Sequence, residues 1–299
     1  MIKVIVITGP TAVGKTKLAV EIAKYLKTDI INGDAFQIYQ KMDIGTAKPS
    51  PEIRAQIKHH LCDFLDPLNS YSIYEYQKDV RGLIGQMHQE GKIPLLVGGS
   101  GLYLDSVIYD YKLEGHGRSK ELEEELAALD NEAVHAILMD MNPEAAEKIH
   151  PNNRKRVLRA IELAFEQQAN KTGKNIPLYD ALYLFLTADR DALYQAINDR
   201  VEEMFSRGLL GEVEKLFPAQ LGIQARKAIG YKELIPYLEG KITLEEAKEQ
   251  IKQATRNYAK RQWTWFRKHP DIVWVNISRS DFNKTIEEVK TLIDRFLSS

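Results

Sequence analysis

The chain has 299 residues, 44% of them hydrophobic, which is enough for one large domain or two smaller ones and excludes a largely disordered protein. It carries 41 basic and 42 acidic side chains, so a nucleic-acid site would have to come from local clustering of cations. The lone cysteine, Cys62, excludes a disulfide framework, and no apolar run approaches the ~18 residues of a membrane-spanning helix. The N-terminus also lacks the features of a signal peptide, and we expect a cytoplasmic protein without membrane attachment.

The N-terminal segment combines an apolar run with a phosphate-binding motif. Residues 2–8 predict a buried strand, and "GPTAVGKT" at 9–16 fits the pattern G-x-x-x-x-G-K-[ST]. Such a loop wraps phosphates with backbone N–H groups, while its lysine neutralises them and its final hydroxyl can hold Mg²⁺. A tight glycine turn is the alternative, but helical spacing after the motif favours the phosphate loop. The phosphate-binding residues expected here are Gly9, Thr11, Ala12, Gly14, Lys15 and Thr16.

Short apolar runs alternate with helical periodicity through most of the remaining chain. Alternation of this kind predicts an α/β fold, a mostly parallel sheet covered by helices, with ligands beyond the carboxyl ends of the strands. Further strands are expected at 28–32, 93–97, 182–187 and 272–276, and later helices at 191–217, 224–239 and 243–268.

The strand signal disappears between about 114 and 178 and is replaced by apolar residues at helical spacing. These are Leu122, Leu126 and Leu129, followed by Val134, Ile137 and Leu138. Asn142 followed by Pro143 makes a good helix start. We therefore predict a P-loop NTPase-like core formed by 1–112 and 183–299 and an all-helical insertion at 113–182.

A phosphate-loop enzyme needs a carboxylate near its metal ion, commonly after another strand. Asp34 follows the strand expected at 28–32, and if that strand neighbours the first one, Asp34 lies across from Lys15 and Thr16. Asp34 could instead be a turn or helix cap, and Asp189 is a rival for the same role. The strand at 93–97 ends in "GGSG", whose glycines either admit a ligand or make a turn.

Two stretches are locally basic. Arg154, Lys155, Arg156 and Arg159 form one cluster, and residues 255–269 carry five lysines or arginines, no acid and four interleaved aromatic residues. The cations could follow RNA phosphates while the aromatics stack, or the aromatics could face the core with the cations solvated. The segment "RKAIGYKE" at 226–233 is by itself only a short basic loop, and the adjacent pair His59-His60 does not make a metal site.

Seven stretches together resemble the tRNA dimethylallyltransferase family, also called tRNA isopentenyltransferases. They follow the family order over most of the chain and are far more specific together than the phosphate loop alone. The stretches are "GPTAVGKT" (9–16), "GDAFQIYQKMDIGTAKP" (33–49), "HHLCDFLDPLNSYS" (59–72), "VGGSGLYL" (97–104), "IHPNNRKRVLRAIE" (149–162), "RKAIGYKE" (226–233) and "TRNYAKRQWTWF" (255–266).

The resemblance implies the reaction and several residue roles. The phosphates would belong to dimethylallyl diphosphate, whose prenyl group passes to the exocyclic N6 of the adenine 3′ of the anticodon, releasing pyrophosphate. Asp34, Ser100 and Arg200 become the catalytic candidates, with Asp34 acting on the amine and Arg200 on the leaving group. Mg²⁺ is the implied cofactor, with Thr16 and Asp34 as its ligands. The family usually has threonine at the position of Ser100.

The resemblance also implies contacts with the anticodon stem-loop of tRNA by a monomer. The target adenine must turn outward to reach the protein. The helical insertion would close around the stem. Many relatives carry serine where this chain has Ala35, so a contact by that hydroxyl is in doubt. The tRNA-binding residues implied are Asp34, Ala35, Phe36 and Gln37, and in the insertion Lys155, Arg156, Val157, Leu158 and Arg159.

Two other functions share the phosphate loop and the core. A small-molecule or nucleotide kinase using ATP is the main alternative, and a non-catalytic RNA-binding NTPase is the second. A kinase would need a pocket for the acceptor of the γ-phosphate and commonly a short lid bearing arginine. The long helical insertion and the two basic stretches favour an RNA substrate instead.

Overall fold

The computed structural model describes residues 1–111, 113, 124, 126–167, 176–269, 271–278 and 281–299. The chain divides into two compact units, one formed by Met1–Tyr109 and Pro177–Ser299 and the other by Asp110–Ile176. Each unit has a hydrophobic core of its own.

The larger unit is built on a six-stranded sheet with the order β3-β2-β4-β1-β5-β6. All the strand pairs are parallel, which confirms the sheet type predicted from the sequence. The strands are β1 (Lys3–Thr8), β2 (Ile30–Asn32), β3 (His59–His60), β4 (Leu95–Val97), β5 (Asp180–Thr187) and β6 (Ile272–Asn276).

Helices connect the strands, and we number them in chain order through both units. In the larger unit they are α1 (Lys15–Leu26), α2 (Pro51–Gln56), α3 (Ile73–Gln89), α4 (Gly101–Ile108), α8 (Arg190–Ser206), α9 (Leu209–Leu216), α10 (Tyr231–Leu238), α11 (Leu244–Phe266) and α12 (Phe282–Ser298), with a short 3₁₀ helix at Ala225–Lys227. In the smaller unit they are α5 (Asn131–Met141), α6 (Pro143–Lys148) and α7 (Arg154–Gln167).

The sheet is buried on both faces. Successive residues of a strand point to opposite faces, so Val6 packs in one cluster with residues of α3 while Ile5 and Ile7 pack in the other with residues of α1 and α12. This explains why β1 is a continuous apolar run instead of an alternating one. It also brings the loops that follow the strands together at one edge of the sheet.

The strand adjacency on which the placement of Asp34 was based is wrong. That placement assumed that β1 and β2 are neighbours, but β4 lies between them and pairs with both. Strand β3, which is only two residues long and begins with His59, was not predicted, since a run of that length has no readable period.

Two predicted helices are each interrupted by a glycine. The segment 191–217 forms α8 and α9 with a break at Gly208, and 224–239 forms the 3₁₀ helix and α10 with a break at Gly230. Both glycines have φ near 96°, in the left-handed region that side chains disfavour. The chain therefore turns at these two positions.

The predicted boundary of the insertion also needs correction. The sequence placed residues 177–182 in the insertion, 113–182, but β5 begins at Asp180, which pairs with Lys3 of β1. Residues from Pro177 onward accordingly belong to the larger unit, and the smaller one spans Asp110–Ile176.

The described part of the smaller unit is helical. Asn142 caps α6, its side chain accepting from the N–H of Ala145 at 3.1 Å, as the sequence indicated. The predicted first helix includes Leu122, which lies outside the described residues. The core consists of Val134, Leu138, Ala146, Val157, Leu158 and Ile161. Of the helices described in either unit, none is both long and apolar enough to cross a bilayer.

Ile7 offers a test of the sheet core because it is fully buried in β1. We expect Ile7→Ala to lower the free energy of unfolding by about 2–5 kcal/mol, since it removes buried methyl groups and leaves a cavity. Ile223→Ala is the control, because Ile223 is 81% exposed, and it should change stability by less than about 0.5 kcal/mol. Urea unfolding curves measure both, and equal losses would contradict the assignment of the core.

Candidate active site

The phosphate motif forms a loop between β1 and α1 with a backbone that glycine makes possible. Gly9 and Gly14 have φ of 145° and 102°, and Ala12 has φ of 63°. A side chain on Gly9 would run into the backbone oxygen of Leu186. Gly14 occupies the N-cap of α1, and it carries no side chain that could bond the N–H groups of the first turn. These N–H groups are available to an anion.

Two cations lie at this loop. The ammonium of Lys15 donates to the carbonyls of Gly9 and Pro10 at 2.9 and 2.8 Å, and the guanidinium of Arg200 donates to the hydroxyl of Thr11 at 3.4 Å. Burial and the charge of Arg200 lower the pKa of Lys15 to about 7, while the opposite charge of Asp34 works against this shift. Lys15 therefore loses its proton more readily than an exposed lysine, and a bound anion would raise its pKa.

Asp34 faces these cations from the turn after β2. Its Oδ1 atom accepts from the N–H groups of Phe36 and Gln37 at 2.9 and 3.3 Å, which leaves Oδ2 for a ligand. Burial raises the pKa of Asp34, although these N–H groups and the charges of Lys15 and Arg200 partly offset it. The carboxylate is thus a stronger base than an exposed aspartate.

A cavity of about 980 Å³ joins the phosphate loop and Asp34. Eight of the predicted site residues line it: Thr11, Ala12, Gly14, Lys15, Thr16, Asp34, Gln37 and Arg200. Ser100 is not one of the lining residues, but its hydroxyl is 3.5 Å from that of Tyr258, which lines the cavity. The structure therefore brings the predicted phosphate loop, Asp34 and Arg200 together around one cavity.

The side chain of Gln37 is hydrogen-bonded to the loop that contains residues 43–47. Its Nε2 donates to the carbonyls of Thr46 and Ala47 at 3.2 and 3.3 Å. The carboxylate of Glu212 fixes this loop by accepting from three successive backbone N–H groups at 2.8 to 3.0 Å, those of residues 43–45, and from the hydroxyl of Tyr231. Tyr231 belongs to the motif at 226–233, so this motif helps to hold the loop that binds Gln37.

The glycines of "GGSG" lie in close contact with other residues of the protein. A Cβ on Gly98 would overlap the backbone of Gly33, one on Gly99 would overlap the side chain of Gln262, and one on Gly101 would overlap the indole of Trp265. Close packing inside the protein therefore accounts for these glycines, although Gly99 also lines the cavity.

The rival candidates for metal binding have other roles. Asp189 caps α8, its Oδ1 accepting from the N–H groups of Asp191 and Ala192 at 3.0 Å. In the parts of the chain that the structure describes, no three histidine, cysteine or acidic side chains are grouped to hold a metal. Thr16 and Asp34, the two predicted ligands, both line the cavity, and hydroxyl and carboxylate oxygens are donors that Mg²⁺ prefers.

The basic segment 255–269 has a mixed character. Phe266 is buried and Trp263 packs against both core clusters, while Lys260 and Arg267 are exposed. The buried aromatics and exposed cations match the alternative in which the aromatics face the core, and contact of the cations with RNA stays a prediction. Sequence reasoning missed that Tyr258 and Gln262 of this segment line the cavity, because the helical spacing alone does not show which loop α11 crosses.

The basic cluster of the smaller unit divides in the same way. Lys155 and Arg156 are exposed, but Arg154 bonds the carbonyls of Leu126 and Leu129. The expected RNA contacts by Val157 and Leu158 need correction, because both side chains are buried in the core of this unit. Arg159 pairs with Glu162 at 2.9 Å.

The shifted pKa of Lys15 can be measured directly. In protein labelled with ¹³C at the lysine Cε atoms, we expect the Lys15 signal, assigned by its loss in Lys15→Arg, to titrate near pH 7. Arg200→Gln should raise this pKa, because it removes a neighbouring positive charge. Arg190→Gln, at the exposed start of the same helix, is the control and should leave it unchanged. Titration of Lys15 near 10.5 in the unmodified protein would contradict this electrostatic description.

Comparisons with known proteins identify the family of the chain. The family model described as IPP transferase matches residues 37–269, and that described as isopentenyl transferase matches 2–64. The tRNA dimethylallyltransferase of Bacillus velezensis is 46% identical, with 92% of this chain and 91% of that protein covered. The protein of the same name from Bacillus subtilis is 45% identical with the same coverage.

Solved structures give the same result. A tRNA isopentenylpyrophosphate transferase from Bacillus halodurans is 40% identical with a TM-score of 0.78, covering 100% of this chain and 97% of the other. A eukaryotic dimethylallyltransferase described as acting on tRNA is 28% identical with a TM-score of 0.85, covering 100% of this chain and 80% of the other. Because the IPP transferase model matches most of the chain and these relatives match it almost end to end, the chain belongs to the IPP transferase family.

Proposed function

We propose that the chain is a tRNA prenyltransferase that uses dimethylallyl diphosphate as its donor. It transfers the dimethylallyl group to the exocyclic N6 of the adenine 3′ of the anticodon and releases pyrophosphate. The observation that carries this proposal is a single cavity with a cationic phosphate loop on one side and the raised-pKa carboxylate of Asp34 on the other, in a member of this family.

The donor side of the cavity suits a diphosphate leaving group. When the bond between the prenyl C1 and the diphosphate oxygen breaks, negative charge collects on the departing phosphate. The loop N–H groups, Lys15 and Arg200 lie on this side of the cavity, so they can stabilise that charge as it develops. A phosphate oxygen would replace the loop carbonyls as the partner of the Lys15 ammonium.

Mg²⁺ fits the donor side as well. Thr16 would hold it together with oxygens of the diphosphate, while Asp34, the other ligand that the resemblance implies, uses its Oδ2 atom for the amine. When bound, the ion would neutralise part of the negative charge of the leaving group.

Asp34 suits the acceptor side. As the amine of the adenine bonds to the prenyl C1, it must lose a proton, and Oδ2 of Asp34 is available to accept it. Gln37 uses its amide nitrogen on protein carbonyls, so its Oε1 atom can accept a hydrogen bond from the base. Ala35 offers no hydroxyl here, and this chain therefore makes no such contact.

The acceptor is an adenine in an anticodon stem-loop, which must be flipped out to enter the cavity. In the smaller unit the exposed pair Lys155 and Arg156 is suited to RNA phosphates, and in the larger unit Lys260 and Arg267 are. We propose that the protein acts as a monomer, in the cytoplasm where its substrate is found.

The kinase alternative is not favoured. It shares the phosphate loop, but the relatives that match this chain over nearly its full length are named transferases acting on tRNA. No observation at the cavity separately favours a non-catalytic RNA-binding NTPase.

Product analysis tests the proposal. The protein is incubated with dimethylallyl diphosphate labelled at C1, an anticodon stem-loop and Mg²⁺, without ATP, and the RNA is digested to nucleosides. We expect the label on the adenosine 3′ of the anticodon. Absence of labelled RNA, combined with γ-phosphate transfer from ATP to a small acceptor, would support the kinase alternative instead.

Asp34→Asn tests the base. We expect the single-turnover rate to fall about 10²–10⁴-fold, because the amide cannot accept the proton, while affinity for dimethylallyl diphosphate is retained. Asp191→Asn, on the exposed side of α8, should leave the rate unchanged. In the unmodified protein the rate should drop as pH falls through the raised pKa of Asp34, at a higher pH than for an ordinary aspartate. A normal single-turnover rate for Asp34→Asn would exclude Asp34 as the base.

The exposed cations of the smaller unit are tested by salt dependence. Changing Lys155 and Arg156 together to glutamine should weaken tRNA binding and reduce the slope of log affinity against log salt by about 0.7–0.9 per lost phosphate contact. Changing Lys24 and Lys27 to glutamine, at the C-terminal end of α1, removes the same charge and should leave the slope unchanged. Filter binding over a salt series measures both. Identical slopes for all three proteins would assign Lys155 and Arg156 no role in RNA binding.

A further inference from the structure

Gln262 of α11 connects two loops of the candidate active site. Its Oε1 atom accepts from the backbone N–H of Thr11 in the phosphate loop at 3.0 Å, and its Nε2 atom donates to the carbonyl of Gly99 after β4 at 2.9 Å. The side chain is 4% exposed. Both ends of one buried amide are thus bonded to backbone groups from different loops.

The two loops carry different groups of the proposed chemistry. The Thr11 loop is the proposed binding loop for the donor phosphates, and the loop at Gly99 carries Ser100, a catalytic candidate whose hydroxyl is 3.5 Å from that of the cavity residue Tyr258. Each loop follows a different parallel strand, β1 or β4, and the N–H and C=O groups that Gln262 binds are not part of the ladder between those strands. The spacing between the loops therefore depends on a side chain that spans them.

Neighbouring residues on the same face of α11 reinforce this arrangement. Tyr258 lies four residues before Gln262, and its hydroxyl is 3.5 Å from that of Ser100. Trp265 lies three residues after Gln262, packs against Gly101 and donates its indole N–H to Asp105 at 2.7 Å. Positions at this spacing share one helix face, so three side chains on one face of α11 contact the segment 99–101.

The absence of a side chain at Gly99 is part of the same contact. A Cβ placed there would overlap the amide of Gln262. Gly99 and Gln262 are therefore a matched pair, and enlarging one should disrupt the hydrogen bond made by the other.

We propose that Gln262 is a positioning residue that sets the distance between the phosphate loop and the loop that carries Ser100. This inference rests on the proposed prenyl transfer. The amide is bonded at both ends to backbone groups, so we assign its effect to the positions of Thr11 and Gly99, although the side chain also lines the cavity. A displacement of one reacting group by about 1 Å can slow a reaction by about 10²-fold, so the loss of this bridge should be visible in the chemical step.

The first measurement needs no substrate. Hydrogen exchange of the Thr11 amide is followed in the ligand-free protein, in Gln262→Met and in the control Gln250→Met, which makes the same change at an exposed position of α11. We expect exchange at Thr11 to be at least tenfold faster in Gln262→Met and unchanged in the control. Unchanged exchange in Gln262→Met would show that the bridge does not hold the phosphate loop.

The second measurement is the single-turnover rate with saturating dimethylallyl diphosphate and an anticodon stem-loop. In Gln262→Met we expect the rate constant to fall about 10- to 100-fold, with the product amplitude and the donor Kd within threefold of the unmodified protein. A purely structural role would lower the amplitude and leave the rate constant of the remaining active molecules unchanged, which would overturn the proposal.

Two further variants keep the proposal testable if Gln262→Met folds poorly. Gln262→Glu retains an acceptor for Thr11 but places a carboxylate against the carbonyl of Gly99, so it should slow transfer while Thr11 stays protected from exchange. Gly99→Ala should reproduce the kinetic loss of Gln262→Met, and the double variant should be no slower than either single one. Fully additive losses would mean that the two residues act independently and would contradict the inference.

These outcomes separate the inference from the proposed function. If the unmodified protein labels no tRNA, the proposed prenyl transfer fails, while hydrogen exchange still decides whether Gln262 holds the two loops. If the unmodified protein labels tRNA and Gln262→Met does so at the same rate, the proposed function stands and the role of Gln262 is refuted.

Discussion

The site depends on opposite charges that face one cavity without neutralising each other. Lys15 bonds to the carbonyls of its own loop, and Asp34 bonds to N–H groups of its own turn. Burial weakens the charged form of both, lowering the pKa of Lys15 and raising that of Asp34. An anionic leaving group would pair with the cation, and an incoming amine would donate to the carboxylate. The two proposed substrates would therefore stabilise the charged forms that burial disfavours in the free protein.

The fold maintains this arrangement through contacts outside the reacting groups. Strand β4 lies between β1 and β2, so the phosphate loop and the Asp34 turn reach the cavity from strands that are not adjacent. Side chains from the later helices then fix the loops: Gln262 binds the phosphate loop and the one after β4, while Glu212 fixes the loop that holds Gln37. The C-terminal half of the chain thereby determines the geometry of residues contributed by the N-terminal half.

Short sequence motifs predicted the site residues that lie directly after a strand. The phosphate loop follows from residue types at fixed spacing between a strand and a helix. Asp34 was only the better placed of two candidates; it lies in the same cavity as Lys15, although the two strands assumed to be neighbours are not adjacent. Contacts between distant segments were not readable: the order of the strands, the bridge made by Gln262 and the anchoring of residues 43–45 by Glu212 depend on tertiary packing. The cluster at 154–159 shows the same limit, because its basic spacing does not reveal that Val157 and Leu158 face a core.

A crystal structure of the protein with a non-reactive thio analogue of dimethylallyl diphosphate and an anticodon stem-loop tests the central claim most directly. We expect the diphosphate on the loop at Lys15, and the exocyclic amine of the flipped adenine within about 3.2 Å of the Asp34 carboxylate, the distance that proton transfer requires. An adenine amine bonded to another group, with Asp34 outside hydrogen-bond distance or the diphosphate away from the loop, would contradict it.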